Sequence, residues 1–238
     1  MSTRLSAVVV EALDPAAQAE FWAAALDWSP AEPGLAGGAL AIGPGDPDGV
    51  RLLFVQTTVP KADKNRLHLD LASGPDQAAE VARLLALGAV RADIGQGAVP
   101  WEVLADPEGN ELCVLPRPDA EERLAAICQD AADVAVQGAF WQAATGWSVA
   151  DRGAWGIALR HPSGSGPLLV MGPPVASGPG RNRLRFVVSA AGAGDDPAIE
   201  RARLLAAGAT GPAHEPDGSQ EQLLLTDPEG NAFQLART

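Results

Sequence analysis

Three side chains in the first half of the chain combine types and spacing that could support chemistry. His68 and Asp70 stand two residues apart in the segment NRLHLDL, and Cys113 lies in the segment NELCVL. The alternation of a β-strand puts His68 and Asp70 on the face opposite the leucines that flank them, and it puts Cys113 opposite Leu112 and Val114. A histidine on such a face can serve as general acid, general base or hydrogen-bond donor near neutral pH. His68 is therefore the candidate catalytic residue.

Simpler roles remain open for the same residues. His68 could do no more than hydrogen-bond a neighbour on the sheet. Cys113 would need a nearby cation or helix N-terminus to become a nucleophilic thiolate, and the sequence shows neither, which favours a buried apolar thiol. Cys113 and Cys128 are the two cysteines of the chain; both lie in apolar runs without metal-type spacing, so we expect two reduced thiols rather than a disulfide.

The elements that position these residues occur twice. Four segments return in the same order and at nearly constant spacing, which predicts a tandem duplication with a domain at 1–118 and a second at 119–238. The pairs are FWAAALDWS and FWQAATGWS, NRLHLDL and NRLRFVV, ARLLALGA and ARLLAAGA, and the two copies of DPEGN at 106–110 and 227–231.

Each unit follows the order strand, helix, about three strands, and then the same again. This pattern predicts an α+β fold in which paired βαβββ modules form a curved, mainly antiparallel sheet with helices on its outer face. Whether modules pair within or between the two units is left open. DPEGN is predicted to be a tight turn, in which aspartate, proline and glycine have conformational roles.

The inner face of such a curved sheet would form a cup for a small ligand. In the second unit Arg185 takes the place of His68 and Gln234 that of Cys113, while Gln56 and Trp101 are further candidates for ligand contact. The repeated tryptophans are predicted to pack in the core, and His161 and His214 to be solvated in turn-rich loops; the four repeated tryptophans are Trp22, Trp141, Trp28 and Trp147.

The segments LDPAAQAEFWAAALDW, KNRLHLDL and LADPEGNELCVL, with fainter partners in the second half, make the chain resemble the vicinal oxygen chelate superfamily of glyoxalase, bleomycin-resistance and extradiol-dioxygenase proteins. The closest resemblance is to the glyoxalase-like domains common in high-GC bacteria. It covers almost the whole chain and implies two consecutive glyoxalase-like domains. The superfamily includes isomerases, epimerases, dioxygenases, thiol transferases and drug-sequestering proteins, so the resemblance is specific for the fold and weak for function.

Enzymes of that superfamily bind a divalent metal through histidines and glutamates on the inner strands. Carried over by position, His68 matches one such histidine, Ala7 replaces another ligand, and Cys113 replaces the glutamate. Gln56 is at best a weak ligand, and a cation at Arg185 would repel a metal. The expectation is therefore no cofactor, with a divalent metal at His68 as the less favoured alternative.

The composition limits the partners. The net charge of −13 disfavours nucleic acid and anionic membranes, and no apolar run has the length of a membrane helix or a signal peptide. We expect a cytoplasmic protein, a monomer or homodimer, whose partner is a small molecule.

Two functions compete on this evidence. The favoured one is metal-independent binding of a small, aromatic or natural-product molecule in the cup. The alternative is a lyase, isomerase or cyclase that uses His68 as general acid or base, with or without a metal in the first domain. Whether the protein is an enzyme is left open.

Overall fold

The computed structural model describes residues 3–31, 39–46, 49–120, 122–173, 182–190, 196–211 and 222–236. Strands and helices in these ranges follow the predicted order in four successive modules. Module 1 contains β1 (Thr3–Ala12), α1 (Pro15–Leu26), β2 (Ser29–Ala31), β3 (Leu40–Gly43) and β4 (Arg51–Gln56). Module 2 contains β5 (Leu67–Ala72), α2 (Gln77–Ala86), β6 (Val90–Arg91), β7 (Glu102–Ala105) and β8 (Glu111–Leu115).

The second half repeats this order. Module 3 contains β9 (Leu124–Asp130), α3 (Val134–Thr145), β10 (Ser148–Gly153), β11 (Gly156–Arg160) and β12 (Leu168–Gly172). Module 4 contains β13 (Leu184–Ala190), α4 (Pro197–Ala206), β14 (Gln222–Thr226) and β15 (Ala232–Ala236). Each of the four helices in the described part of the chain begins at an aspartate that accepts hydrogen bonds from first-turn N–H groups; these caps are Asp14, Asp76, Asp133 and Asp196.

The modules pair across the two repeats, which settles the question that the sequence left open. Sheet A joins modules 1 and 4 in the strand order β14-β15-β13-β1-β4-β3-β2, and sheet B joins modules 3 and 2 in the order β10-β11-β12-β9-β5-β8-β7-β6. The central pairings, β1 with β13 and β5 with β9, are antiparallel. The fold is therefore the expected α+β arrangement, but each sheet is shared by both halves of the sequence.

One hydrophobic core includes the helix-facing side of both sheets and residues of all four helices. The alternation predicted this side correctly, because Leu67, Leu69, Leu71, Leu112, Val114, Phe233 and Leu235 are all in that core. Trp22 and Trp141 are 1% and 0% exposed, which confirms their predicted core positions. Trp141 packs edge-on against Phe186 and Phe233, so α3 helps to fill the space behind sheet A.

The DPEGN segments form tight turns built around a buried aspartate. One carboxylate oxygen of Asp106 accepts hydrogen bonds from the N–H groups of Glu108 and Asn110, and the other accepts from the Asn110 side chain and from Trp22 Nε1. Burial raises the pKa of Asp106, while these hydrogen bonds favour its charged form. Asp227 makes the equivalent turn, but Gln129 and Gln137 take the place of the tryptophan donor.

Candidate active site on sheet B

The structure brings His68, Asp70 and Cys113 together on the face of sheet B opposite the helices. His68 and Asp70 lie on β5, and Cys113 lies on the neighbouring strand β8, in register with Asp70. His68 Nε2 lies 3.4 Å from Asp70 Oδ1, and potential ligand atoms of all three residues lie within 4.8 Å of one another. Asp70 and Cys113 are 8% and 5% exposed, whereas His68 is half-buried. The group is a compact polar cluster with its histidine at the accessible edge.

Cys128 completes this cluster from the other half of the sequence. Cys128 lies on β9 directly opposite His68 of β5, and its Sγ donates a hydrogen bond to Asp70 Oδ2 at 3.1 Å. Sequence reasoning placed Cys128 only in an apolar run. The strand alternation of LAAICQD would put it on a definite face, but only the pairing of β9 with β5 shows that this face carries His68.

Both thiols are free, buried and strongly disposed to stay protonated. Burial is the main reason that the pKa of Cys113 and that of Cys128 lie above the ordinary value, and the Asp70 carboxylate raises both further. Lys64 opposes this shift at Cys113 without reversing it. Neither cysteine has the low pKa of a nucleophilic thiol in the present arrangement, in agreement with the interpretation of Cys113 as a buried thiol.

The polar face of sheet B differs from one end to the other. Near His68, two ion pairs line the face: Lys64 with Asp130 at 2.7 Å and Lys61 with Glu111 at 2.6 Å. Apolar side chains lie on the same face. Ala126 pairs directly with Asp70, and Leu168 and Val170 follow one strand further on β12. Ala72 and Leu115 lie beyond Asp70 along β5 and β8. His68 and Asp70 therefore have charged pairs at one end of their strand and apolar side chains beside and beyond them.

The corresponding face of sheet A has a different character. Arg185 pairs with Glu11 at 2.7 Å, and Gln234 is one strand away, two residues before the buried Ala236. The rest of this face forms a second, buried apolar cluster that consists of Ala7, Val9, Ala39, Ala41, Leu53, Val187 and Ala236. The two predicted binding residues of the second repeat, Arg185 and Gln234, therefore lie on a different sheet from His68.

Gln56 and Trp101 take separate positions. Gln56 lies at the end of β4 in sheet A, where its side-chain amide donates to the carbonyls of Leu13 and Thr57. It is exposed and remote in topology from His68, so the structure does not bring it to the cluster. Trp101 is half-buried and precedes β7, two residues before Val103, which pairs with Cys113. By strand alternation Trp101 shares the face of Cys113.

The two faces differ in their fitness for the divalent metal that the superfamily's enzymes use. Sheet A offers Ala7, Arg185 and Gln234 at the relevant positions, and a guanidinium paired with Glu11 is unsuited to hold a cation. Sheet B offers nitrogen from His68, oxygen from Asp70 and sulfur from Cys113, with Cys128 adjoining. That donor set suits zinc or another thiophilic cation better than magnesium or calcium.

The fold, two curved sheets built from four βαβββ-type modules with a small polar cluster on the inner face of one sheet, is that of the glyoxalase class. The sequence model of the glyoxalase-like domain matches residues 7–115 and 126–236, and the chain belongs to this family.

Solved structures agree over the full length. Glyoxalase I from Zea mays superimposes with a TM-score of 0.69 at 14% identity, covering 99% of this chain and 92% of that one. A putative dioxygenase from Bacillus subtilis subsp. subtilis str. 168 gives a TM-score of 0.62 at 14% identity, covering 99% and 86%. At such identities the likeness shows the fold alone. No curated protein matches the chain.

Among the described residues, the helices are all too short or too polar to span a bilayer. His214 lies outside the described residues. The other loop histidine, His161, lies partly exposed in the loop after β11, and its ring contacts that of Trp147.

Proposed function

We propose that this glyoxalase-like protein binds a small molecule on the inner face of sheet B, without a catalytic metal. The observation that carries the proposal is the His68–Asp70 pair, held with two buried thiols on one surface that also carries two ion pairs and a group of apolar side chains. A buried polar cluster is costly unless its hydrogen-bonding groups find partners. His68 Nδ1 and Asp70 Oδ1 are buried and have no hydrogen-bond partner in the part of the chain that the structure describes.

The shape of this surface defines the class of ligand. An aromatic or aliphatic body suits the part of the face lined by Ala72, Ala126 and Leu168. A carbonyl or hydroxyl group suits the adjoining position, where His68 and Asp70 can donate and accept hydrogen bonds. Trp101, on the face of Cys113, would add aromatic contact area. Aromatic dicarbonyl compounds and catechols have this combination of an apolar body and a polar head.

A thermal-shift titration with 1-phenyl-1,2-propanedione and with catechol tests the proposal. A ligand that binds only the folded state stabilises it by about 2.7 kcal/mol at a hundredfold excess over its Kd, which corresponds to a rise in Tm of about 5–10 °C for a chain of this size. We expect at least one probe to raise Tm, and His68→Ala to weaken its binding about threefold to tenfold through one lost hydrogen bond.

Arg91→Ala is the matched control, because Arg91 lies on the far strand of sheet B in an exposed ion pair with Glu102. Its titration curve should overlay that of the wild type. Unchanged affinity in His68→Ala, or equal loss in both variants, would contradict a site at the cluster. Proton NMR of the incubated probes distinguishes binder from enzyme: a lyase, isomerase or cyclase that uses His68 would convert a probe, and His68→Ala would abolish that turnover.

A metal site at the same cluster is the second candidate, favoured by the closeness of the His68, Asp70 and Cys113 ligand atoms. With Cys128 the four side chains match the ligand number of a protein zinc site. A bound zinc would supply Lewis acidity, and binding would require loss of the thiol protons that burial now retains. Metal affinity at this site would therefore rise steeply with pH.

Cobalt substitution tests this second candidate without any assay of activity. Reconstitution of the purified chain should give about one Co²⁺ per chain and a thiolate-to-metal charge-transfer band, and both should be lost in Cys113→Ser/Cys128→Ser. His161→Ala removes a histidine outside the cluster and should keep the band. A stoichiometry near zero under metal-replete conditions would exclude the metal site and leave the metal-free proposal in place.

A further inference from the structure

A second concave site lies away from the polar cluster, between modules 1 and 3. It is a cavity of about 450 Å³, a volume suited to a small organic ligand. Its walls are the ends of α1 and α3, the loops after β3 and β11, and the start of β9. His68, Asp70, Cys113 and Cys128 do not line it. The cavity is therefore separate from the site proposed above.

Equivalent tryptophans of the two repeats supply the aromatic walls of this cavity. Trp28 follows α1 and Trp147 follows α3, at matching positions of FWAAALDWS and FWQAATGWS. Trp147 is 3% exposed, and Trp28 is half-buried against the same core. Both confirm the predicted packing role, but their shared position on a cavity wall adds a surface for a flat ring.

The cavity wall contains two polar groups that could hydrogen-bond a ligand, the indole N–H of Trp147 and the ring of His161. Trp147 Nε1 is buried and has no hydrogen-bond partner among the described residues. The indole of Trp147 and the His161 ring are nearly perpendicular, at 82°, with 5.7 Å between their centroids. His161 Nδ1 accepts from the Ser163 N–H at 3.2 Å and lies 2.7 Å from Ser163 Oγ, so Nε2 is the ring nitrogen that remains for a ligand.

Acidic side chains dominate the charged part of the lining. Asp27, Asp46 and Glu122 line the cavity and are exposed. Arg123 is the one cation among its lining residues other than histidine, and its guanidinium lies 3.2 Å from Glu80. With a chain charge of −13 around it, the cavity favours cations over anions. A positive charge against an indole ring also gains cation–π attraction.

We propose that this cavity is a second binding site, which takes a flat aromatic molecule carrying a positive charge. The two indoles contact the flat body of the ligand, and the acidic residues attract its charge. The asymmetry between the repeats fits an oriented ligand. The residue directly after β11 is His161, whereas the residue directly after β3 is Pro44, so hydrogen bonding comes chiefly from module 3.

Titration of the full chain with proflavine, a planar aromatic cation, tests this proposal. Calorimetry and the quenching of tryptophan emission should both report about one proflavine per chain. Trp28→Ala should weaken binding about tenfold, since the loss of one stacked or cation–π contact to a desolvated ring has roughly that effect. The anion 2-naphthalenesulfonate should bind at least about tenfold more weakly than proflavine.

Trp155→Ala is the matched control, because Trp155 is 47% exposed and does not line the cavity. It and His68→Ala should keep the wild-type affinity. If Trp28→Ala proves unfolded by circular dichroism, Asp27→Asn/Glu122→Gln removes two exposed charges and should weaken proflavine severalfold without disturbing the core. The proposal is overturned if proflavine does not bind below about 1 mM, if the cavity variants leave its affinity unchanged, or if His68→Ala abolishes its binding.

Discussion

Replacing Asp106 by alanine is expected to lower the free energy of unfolding by about 3–5 kcal/mol. The Asp106 carboxylate is 1% exposed and accepts hydrogen bonds from two backbone N–H groups, one side-chain amide and the indole of Trp22. Alanine leaves four donors without an acceptor in a buried turn, and each such group costs about 1–3 kcal/mol before relaxation. Local rearrangement and entry of water reduce the sum to the stated range.

Urea denaturation followed by tryptophan emission and by circular dichroism measures this change. Asp93→Ala is the matched control: Asp93 is exposed and accepts a hydrogen bond from the Gly95 N–H, so its loss should stay within about 0.5 kcal/mol. Asp106→Asn retains one oxygen acceptor and should lie between the two. A loss below about 1 kcal/mol for Asp106→Ala would mean that the turn is stabilised by other contacts.

The DPEGN turn is an example of local structure that can be predicted from the types of neighbouring residues. Its conformation followed from residue types, because aspartate accepts from nearby N–H groups and Gly109 and Gly230 take the positive φ angle. The helices, the strands and the inward leucines followed in the same way. All of these depend on neighbours within a few positions, which the sequence displays directly.

The pairing of the modules could not be obtained in that way. Each module has a similar pattern, so the sequence is compatible with pairing inside or between repeats. The structure pairs β5 with β9 and β1 with β13, and this places Cys128 beside His68 and Glu11 beside Arg185. Cys128 was missed as a member of the cluster because its neighbour His68 is sixty positions away and in the other repeat. Gln56 lies apart from His68 for a related reason, since its strand belongs to the other sheet.

The same topology explains why one face is polar and the other apolar. His68, Asp70, Cys113 and Cys128 converge because modules 2 and 3 share sheet B. Ala7, Val187 and Leu53 converge because modules 1 and 4 share sheet A. The polar cluster therefore belongs to the middle modules and the apolar cluster to the outer modules, so the difference does not follow the first and second halves of the chain.

The outer and middle modules are tied together at Glu108, and replacing it by alanine is expected to cost about 3–5 kcal/mol of unfolding free energy. Its carboxylate accepts hydrogen bonds from the N–H groups of Leu13 and Asp14, just before α1, and pairs with Arg183 Nη2 at 2.9 Å. The Arg183 side chain is 4% exposed. Loss of Glu108 therefore leaves the buried guanidinium of Arg183 without its counter-ion, and it leaves the two N–H groups just before α1 without their acceptor.

The second repeat provides the matched comparison for this prediction. Glu229 accepts from the N–H groups of Ala132 and Asp133, but the equivalent arginine, Arg66, donates to the Glu229 backbone carbonyl, at 3.5 Å, and makes no ion pair with the Glu229 carboxylate among the described residues. Glu229→Ala should accordingly cost about 1–3 kcal/mol, without the penalty for an unpaired buried charge. Urea midpoints of the two variants, measured side by side, test whether that difference exists.

A double-mutant cycle isolates the ion pair itself. Arg183→Met in the Glu108→Ala background removes the unpaired guanidinium and should recover part of the lost stability, although the N–H groups of Leu13 and Asp14 remain without their acceptor. Equal losses for Glu108→Ala and Glu229→Ala, together with no recovery on adding Arg183→Met, would show that the helix-entry hydrogen bonds alone account for the effect. In that case the contact between modules 2 and 4 through Glu108 and Arg183 would not contribute to holding the two sheets together.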